Sequence, residues 1–477
     1  MQLKKSFHIY SRKLAAWRDP DSIFTVLFSK EPHAFWLDSS KVEDGLSRFS
    51  YIGDITGPLS KKITYTIREK KITCNGKEKN SSIFDYLEEE LEIWRRKVFT
   101  PTVPYPFDFT GGFVGYFGYE LQEDCSSAMF HQSSFPDAYF FFIDRFLVFD
   151  HKEKEIYLVC LSDKEKEAQD WFADIIKKIR HGVSDIHSQS KHARDGGLEL
   201  QILGKTHEQY VQDIQKCQEY LQKGESYQIC LTNKMKVYKK STPEDWVSLY
   251  LSLREISPAP YSAYMRFGDF AILSSSPEMF LKVDTERVVT SKPIKGTVRR
   301  GETSEEDTEL AANLGKTEKD FAENAMIVDL VRNDLGRVCE FGSIRVEHFL
   351  DVETYATMHQ LVSTITGKLG KESSSISAIK ACFPGGSMTG APKLKAMEII
   401  ADLEEEARGI YSGSLGFLSI QGTVNLNIII RTIIARRDEL CFGAGGAILV
   451  QSDPESEYKE MLLKSQALIT AIQQCIK

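Results

Sequence analysis

No apolar run in this sequence approaches the roughly 20 residues that a bilayer-spanning helix requires, which excludes a helical membrane protein. An excess of positive charge is missing too. Lys and Arg number 60 against 68 Asp and Glu, a net charge of −8, and phosphate backbones need a basic face, so nucleic acid is not expected as a partner. No C-x-x-C pair occurs among the nine scattered cysteines, which argues against structural zinc and against a disulfide framework. A reducing, cytoplasmic setting is expected. The N-terminal stretch has basic residues without an apolar segment behind them, so no secretory leader is expected. Nucleotide motifs are absent as well: GGFVGYFGYE has glycines at 112, 115 and 118 rather than G-x-G-x-x-G, and the GKT at Gly315 has Leu310 where a P-loop needs glycine. Neither H-E-x-x-H nor an internal repeat is found.

What remains is a chain of 477 residues, 42% of them hydrophobic, long enough for two subdomains or one unusually large two-layer domain. The clearest shift in composition is the polar stretch RHGVSDIHSQSKHARDGG, which divides an N-terminal region, 1–180, from a second, 198–477. Aromatic, strand-like pieces such as HAFWLDSS and AYFFFIDRFLVFDH precede it, and GGFVGYFGYE suits a close-packed strand. Helical segments alternate with apolar strands after it, and LNIIIRTIIARR reads as one largely buried strand. Helices and strands therefore share one body.

Several charged residues stand where burial is expected. TEKDFAENAMIVDLVRNDLGRV reads as a helix from about Thr317 to Gly336, and Glu323 shares a face with Met326, Ile327 and Leu330. It either pairs with Lys319 on the surface or points inward. A second helix begins at Asp453 and Pro454 and carries Glu457, Glu460 and Lys464 on one stripe. Inward carboxylates on two helices would make a hard-oxygen site suited to Mg²⁺, whereas an exposed Glu–Lys pair explains the second stripe equally. Arg431 lies within an apolar run and needs an internal acid or a bound carboxylate. Backbone amides of Gly443, Gly445 and Gly446, and a helix starting at Pro392, could serve the same anion or simply permit tight turns. Lys295, in SKPIKGTVRRG, is either a solvated turn residue or a desolvated nucleophile.

The set SSSPE, PIKGT, AENAMIVDLVRNDLGR, FPGGSMTGAPK, YSGSLGF, GAGGAI and SEYKEMLLK, in this order from about Leu200 onward, resembles the chorismate-utilising enzymes. FWLDSS, RFSYIGD and GGFVGYFGYE resemble the N-terminal half of anthranilate synthase large subunits. The resemblance implies an α+β or α/β fold: a large antiparallel β-sandwich with helices packed outside. It implies Mg²⁺ on Glu323 and Glu460 with Glu457 acting through water, and Tyr411, Arg431, Gly445 and Gly446 on the enolpyruvyl carboxylate. His359, Ser387, Thr389 and Lys464 would line the pocket. Where anthranilate-forming relatives have alanine (PIAGT), this chain has Lys295, as in the branch that aminates chorismate at C4 for para-aminobenzoate and folate synthesis; there the amine attacks C2 while Glu278 protonates the departing hydroxyl. Gln228 stands where water-using relatives keep a lysine base, which leaves ammonia as the incoming nucleophile. The implied partners are chorismate, ammonia and a separate glutamine amidotransferase subunit in a heterodimer. LDSS in place of LLES makes tryptophan feedback doubtful, while SPAPYSAYM leaves room for a structural tryptophan. Anthranilate synthase component I is the alternative activity.

Overall fold

The run AYFFFIDRFLVFDH is rich in aromatic and β-branched residues, which favour strands, and it forms two strands rather than one. Ala138–Ile143 and Arg145–Asp150 part at Asp144 and enter different sheets. Asp144 is fully buried and is held by the Leu59 amide at 3.1 Å and the Ser60 hydroxyl at 2.6 Å, which satisfies a carboxylate at the crossing. LNIIIRTIIARR behaves likewise, correcting the expectation of a single strand: Val424–Ile428 lies in one sheet and Thr432–Arg436 in the other. Arg431 sits at that second crossing with a left-handed φ of 51°. Its carbonyl still accepts from the Ser275 amide at 3.0 Å, where the second ladder begins.

The computed structural model describes residues 6–42, 47–99, 104–125, 131–186, 202–238, 245–314, 318–354 and 358–475. Among them run two antiparallel sheets of twelve strands each. In the first, His33–Asp38 pairs with Tyr261–Phe267, and in the second Gly112–Phe117 pairs with Ser414–Ser419. Strands from both sequence regions thus share both sheets. The polar divide at 180–197 lies mostly outside the described residues, which resume at Ile202.

Three apolar clusters define the layers. Phe35, Tyr51, Val114, Phe141, Met265 and Phe417 belong to the cluster enclosed between the sheets. A second lies on the outer face of the first sheet under helices that include Trp246–Ile256 and Pro454–Cys475, and a third covers the second sheet beneath Ile83–Lys97 and Glu318–Gly336. The order is helices, sheet, sheet, helices, the sandwich that alternating inward-facing residues produce. No helix among the described residues is long and apolar enough to cross a membrane.

Candidate functional site

Lys295 belongs to the strand Ile294–Arg299, whose register against Met358–Lys368 slips between Ile294 and Thr297. Gly296, with φ of 76°, takes the turn that an extra residue forces on a ladder, and such a bulge re-aims the neighbouring side chain. Lys295 is thereby directed at the helix Glu318–Gly336, where its Nζ lies 3.4 Å from Glu323 Oε2. Both side chains are nearly buried, 14% and 13% exposed, so this lysine is not a solvated turn residue. Glu323 faces inward, the second of its two readings.

Glu278 immediately precedes the strand Met279–Val283, and its backbone is fixed at both ends: Ile428 donates to its carbonyl at 3.0 Å and its own amide donates to Ser276 Oγ at 3.3 Å. Burial pushes its carboxyl up to about 7, against the opposing pull of the Ser387 hydroxyl and the charges of Lys295 and Lys464. The three groups are therefore neighbours in space. Lys464 bonds to Glu460 at 2.7 Å and donates to the Gly445 carbonyl at 3.0 Å, which ties the helix Pro454–Cys475 to the strand Glu439–Ile448. Glu457, buried one turn earlier, accepts from Ser452 Oγ at 2.7 Å.

Gly446 marks the concavity. A Cβ there would lie 3.3 Å from Glu457 Oε2, 3.6 Å from Lys464 Nζ and 4.0 Å from Glu460 Oε1, so glycine leaves open the space on which these groups converge. Gly443 does the same for Tyr411, whose ring a Cβ would meet at 2.4 Å. Burial raises the Tyr411 hydroxyl above its usual range and lowers Arg431, which feels the charges of Tyr411 and Glu460. No hydrogen bond among the described residues engages the Arg431 guanidinium. Gln228 is wholly buried at the start of the strand Gln228–Tyr238, and both ends of its amide lack partners. A buried amide without a partner among the described residues and a half-buried guanidinium are costly, and a polar anionic ligand would offset both.

Thr389 is fully buried, its hydroxyl on the Gly386 carbonyl at 3.2 Å, in the turn that also carries Ser387. His359 stands apart from these contacts: its ring nitrogens engage Asp307 at 2.9 Å and Thr354 at 2.8 Å. It is paired with Val298 on the strand that carries Lys295. As for a metal, the donors at Gly446 are hard oxygens, which fit Mg²⁺ in kind, and Glu323 faces the same lysine-rich centre; no cluster of three or more His, Cys, Asp or Glu is arranged as a metal cage among the described residues.

Sequence reasoning missed the buried pair Glu404–Arg408, although an arginine three residues before Tyr411 in ARGIYSG was a visible signal. A separate cavity of about 390 Å³ lies between the sheets where LDSS and SPAPYSAYM meet, lined by Leu37, Asp38, Tyr261, Ser262, Phe417 and Asn427 among others. Asp38 in its wall is already committed to Arg254 at 2.6 Å and Tyr250 at 3.0 Å.

A buried acid, an inward lysine and a guanidinium without a hydrogen bond among the described residues are chemically suited to a small carboxylate ligand. The chain belongs to the family described as chorismate binding enzyme, whose model matches residues 43–470. Among its relatives it is 40% identical over 480 residues to aminodeoxychorismate synthase of Streptomyces pristinaespiralis, covering 98% of this chain and 66% of that protein. It is 32% identical to anthranilate synthase component 1 of Aquifex aeolicus, covering 98% of this chain and 94% of that one. The crystal structure of anthranilate synthase component I from Streptococcus pneumoniae superposes with a TM-score of 0.74 at 27% identity, covering 90% of this chain and 93% of the other. The chain spans between 52% and 66% of the length of the curated aminodeoxychorismate synthases it matches.

Proposed function

We propose that the chain aminates chorismate at C4 to give 4-amino-4-deoxychorismate, as a step toward para-aminobenzoate and folate, using ammonia supplied by a glutamine amidotransferase subunit. The observation that carries the reading is an inward Lys295, 3.4 Å from Glu323, whose charge reaches the buried, proton-holding Glu278. An amine there can bond to C2 as both ring double bonds shift, C1=C2 to C1=C6 and C5=C6 to C4=C5, and the C4–oxygen bond breaks; Glu278 gives its proton to the departing oxygen, which leaves as water. Ammonia then bonds at C4, the C2–nitrogen bond breaks, and Lys295 is regenerated. A carboxyl near 7 is matched to this task, because it holds a proton about half the time at neutral pH. Arg431, Tyr411 and the Gly445–Gly446 backbone would orient the enolpyruvyl carboxylate, and Gln228, which cannot deprotonate water, would leave ammonia without a rival. Mg²⁺, held by Glu323 and Glu460 with Glu457 behind, would supply the counter-charge for the ring carboxylate.

Incubation with chorismate, Mg²⁺ and an ammonium salt should yield para-aminobenzoate only when an aminodeoxychorismate lyase is added. Anthranilate formed without the lyase would reject this reading in favour of anthranilate synthase component I, which the near-complete coverage of that relative's length favours. The same proposal extends to a structural tryptophan in the cavity between the sheets, checked by calorimetric titration with the free amino acid, and to a cytoplasmic location.

A further inference from the structure

Arg408 is the most fully engaged side chain near the site. Only 5% of it is exposed, and it lies at 4.5 Å over the ring of Tyr119. Its Nε and one terminal nitrogen fork onto Glu404 at 2.7 and 2.6 Å, the two-point geometry that guanidinium and carboxylate share. The remaining donors leave the pair. One reaches the Met388 carbonyl at 2.6 Å, between Ser387 and Thr389, and another the Cys230 carbonyl at 2.8 Å, two residues along the strand from Gln228. A longer contact, 3.4 Å, meets Ser412 beside Tyr411. Glu404 completes the frame by accepting from the Thr232 amide and hydroxyl, both at 2.8 Å. The Gln228 strand and the turn also meet through the Cys230 amide on the Thr389 carbonyl at 2.8 Å and a short ladder of Gln228 and Ile229 with Ala391 and Gly390, and Arg408 adds side-chain bonds to that joint and ties it to its own segment before Tyr411.

We propose that Arg408, clamped by Glu404, is a positioning residue that sets the Ser387–Thr389 turn, the Gln228 strand and the Tyr411 segment in one fixed arrangement around the substrate. Stability alone does not require such a pair, since replacing a buried ion pair by apolar groups of similar volume is often neutral. Its donors are spent instead on backbone carbonyls adjacent to residues that face the site. Lysine in its place keeps a charge for Glu404 but has no planar fork, so it cannot hold Glu404, Met388 and Cys230 together.

The inference rests on the proposed amination, and its test separates the two. Arg408→Lys and the apolar double variant Arg408→Met/Glu404→Met are compared with the unaltered chain for melting temperature, kcat and KM in the lyase-coupled assay, and amide exchange at Cys230. Melting temperatures close to the parent's, kcat lower by about 10²-fold with KM changed far less, and faster exchange at Cys230 are expected, since misplacement of about 1 Å costs that much. Parental kcat in a folded variant overturns the proposal, and so does a loss that only tracks the unfolded fraction. Should the unaltered chain fail to aminate chorismate, the functional reading falls by itself, and exchange at Cys230 still decides whether Arg408 fixes the frame.

Discussion

Lys295 and Glu278 are both largely withdrawn from water, and the proposed reaction depends on them directly. Lys295→Ala and Glu278→Gln should each lower kcat by about 10²–10⁴-fold while chorismate still binds, the range that loss of a proton-transferring group produces; stopped assays and calorimetric titration of chorismate check the two halves of that statement. Because Glu278 must be protonated to act, the rate of the parent should fall as pH rises through about 7, a limb that the glutamine variant lacks. Both residues could be named from sequence, one by its place in PIKGT and the other in SSSPE. The protonation of Glu278 could not, because it depends on burial and on neighbours such as Ser387 and Lys464, more than 100 residues away along the chain.

At the scale of elements, the glycines of the strand Glu439–Ile448 shape the hollow. Gly443→Ala would drive a methyl group into the Tyr411 ring and should cost about 10²-fold in kcat/KM through misplacement of the substrate carboxylate. Gly446→Ala meets only the ends of flexible side chains and should cost less, read as a rise in KM. The short turn Tyr119–Leu121 carries a different signal. Glu120, buried and accepting from the Gly409 amide at 3.0 Å, has its carboxyl pushed up to about 8 by burial, from a usual 4.5. The folded chain therefore keeps a proton that the unfolded chain releases, so this contribution to stability is complete below about pH 4.5 and is lost as pH rises to about 8. Glu120→Gln should narrow the difference in melting temperature between pH 5 and pH 8, corresponding to on the order of 2–4 kcal/mol. The helices Glu318–Gly336 and Pro454–Cys475 were legible from their periodicity and caps, and Asp453 does accept from the Ser456 amide at 2.9 Å. The crossings at Asp144 and Arg431 were not, because a charged residue within an apolar run marks a break in burial but not a change of sheet.

For the whole molecule, the pairing of His33–Asp38 with Tyr261–Phe267 and of Gly112–Phe117 with Ser414–Ser419 makes each sequence region the missing half of the other's sheets. Residues 198–477 expressed alone should expose strand edges and the apolar face between the sheets, and precipitate; co-expression with 1–186 should restore soluble protein with the circular dichroism of the intact chain. A soluble, well-folded fragment would show that the shared sheets contribute little.

From the sequence alone came the strand and helix periods, the acids misplaced on greasy faces and a family resemblance, because these are local patterns or fixed orders of residues. Tertiary structure decided which of those residues meet. Lys295 faces Glu323 because a bulge turns it, no hydrogen bond among the described residues engages the Arg431 guanidinium at its crossing, and Arg408 reaches Met388 and Cys230, 20 and 178 residues away. Burial and approach are properties of packing between distant stretches, and they set both the proton on Glu278 and the space above Gly446.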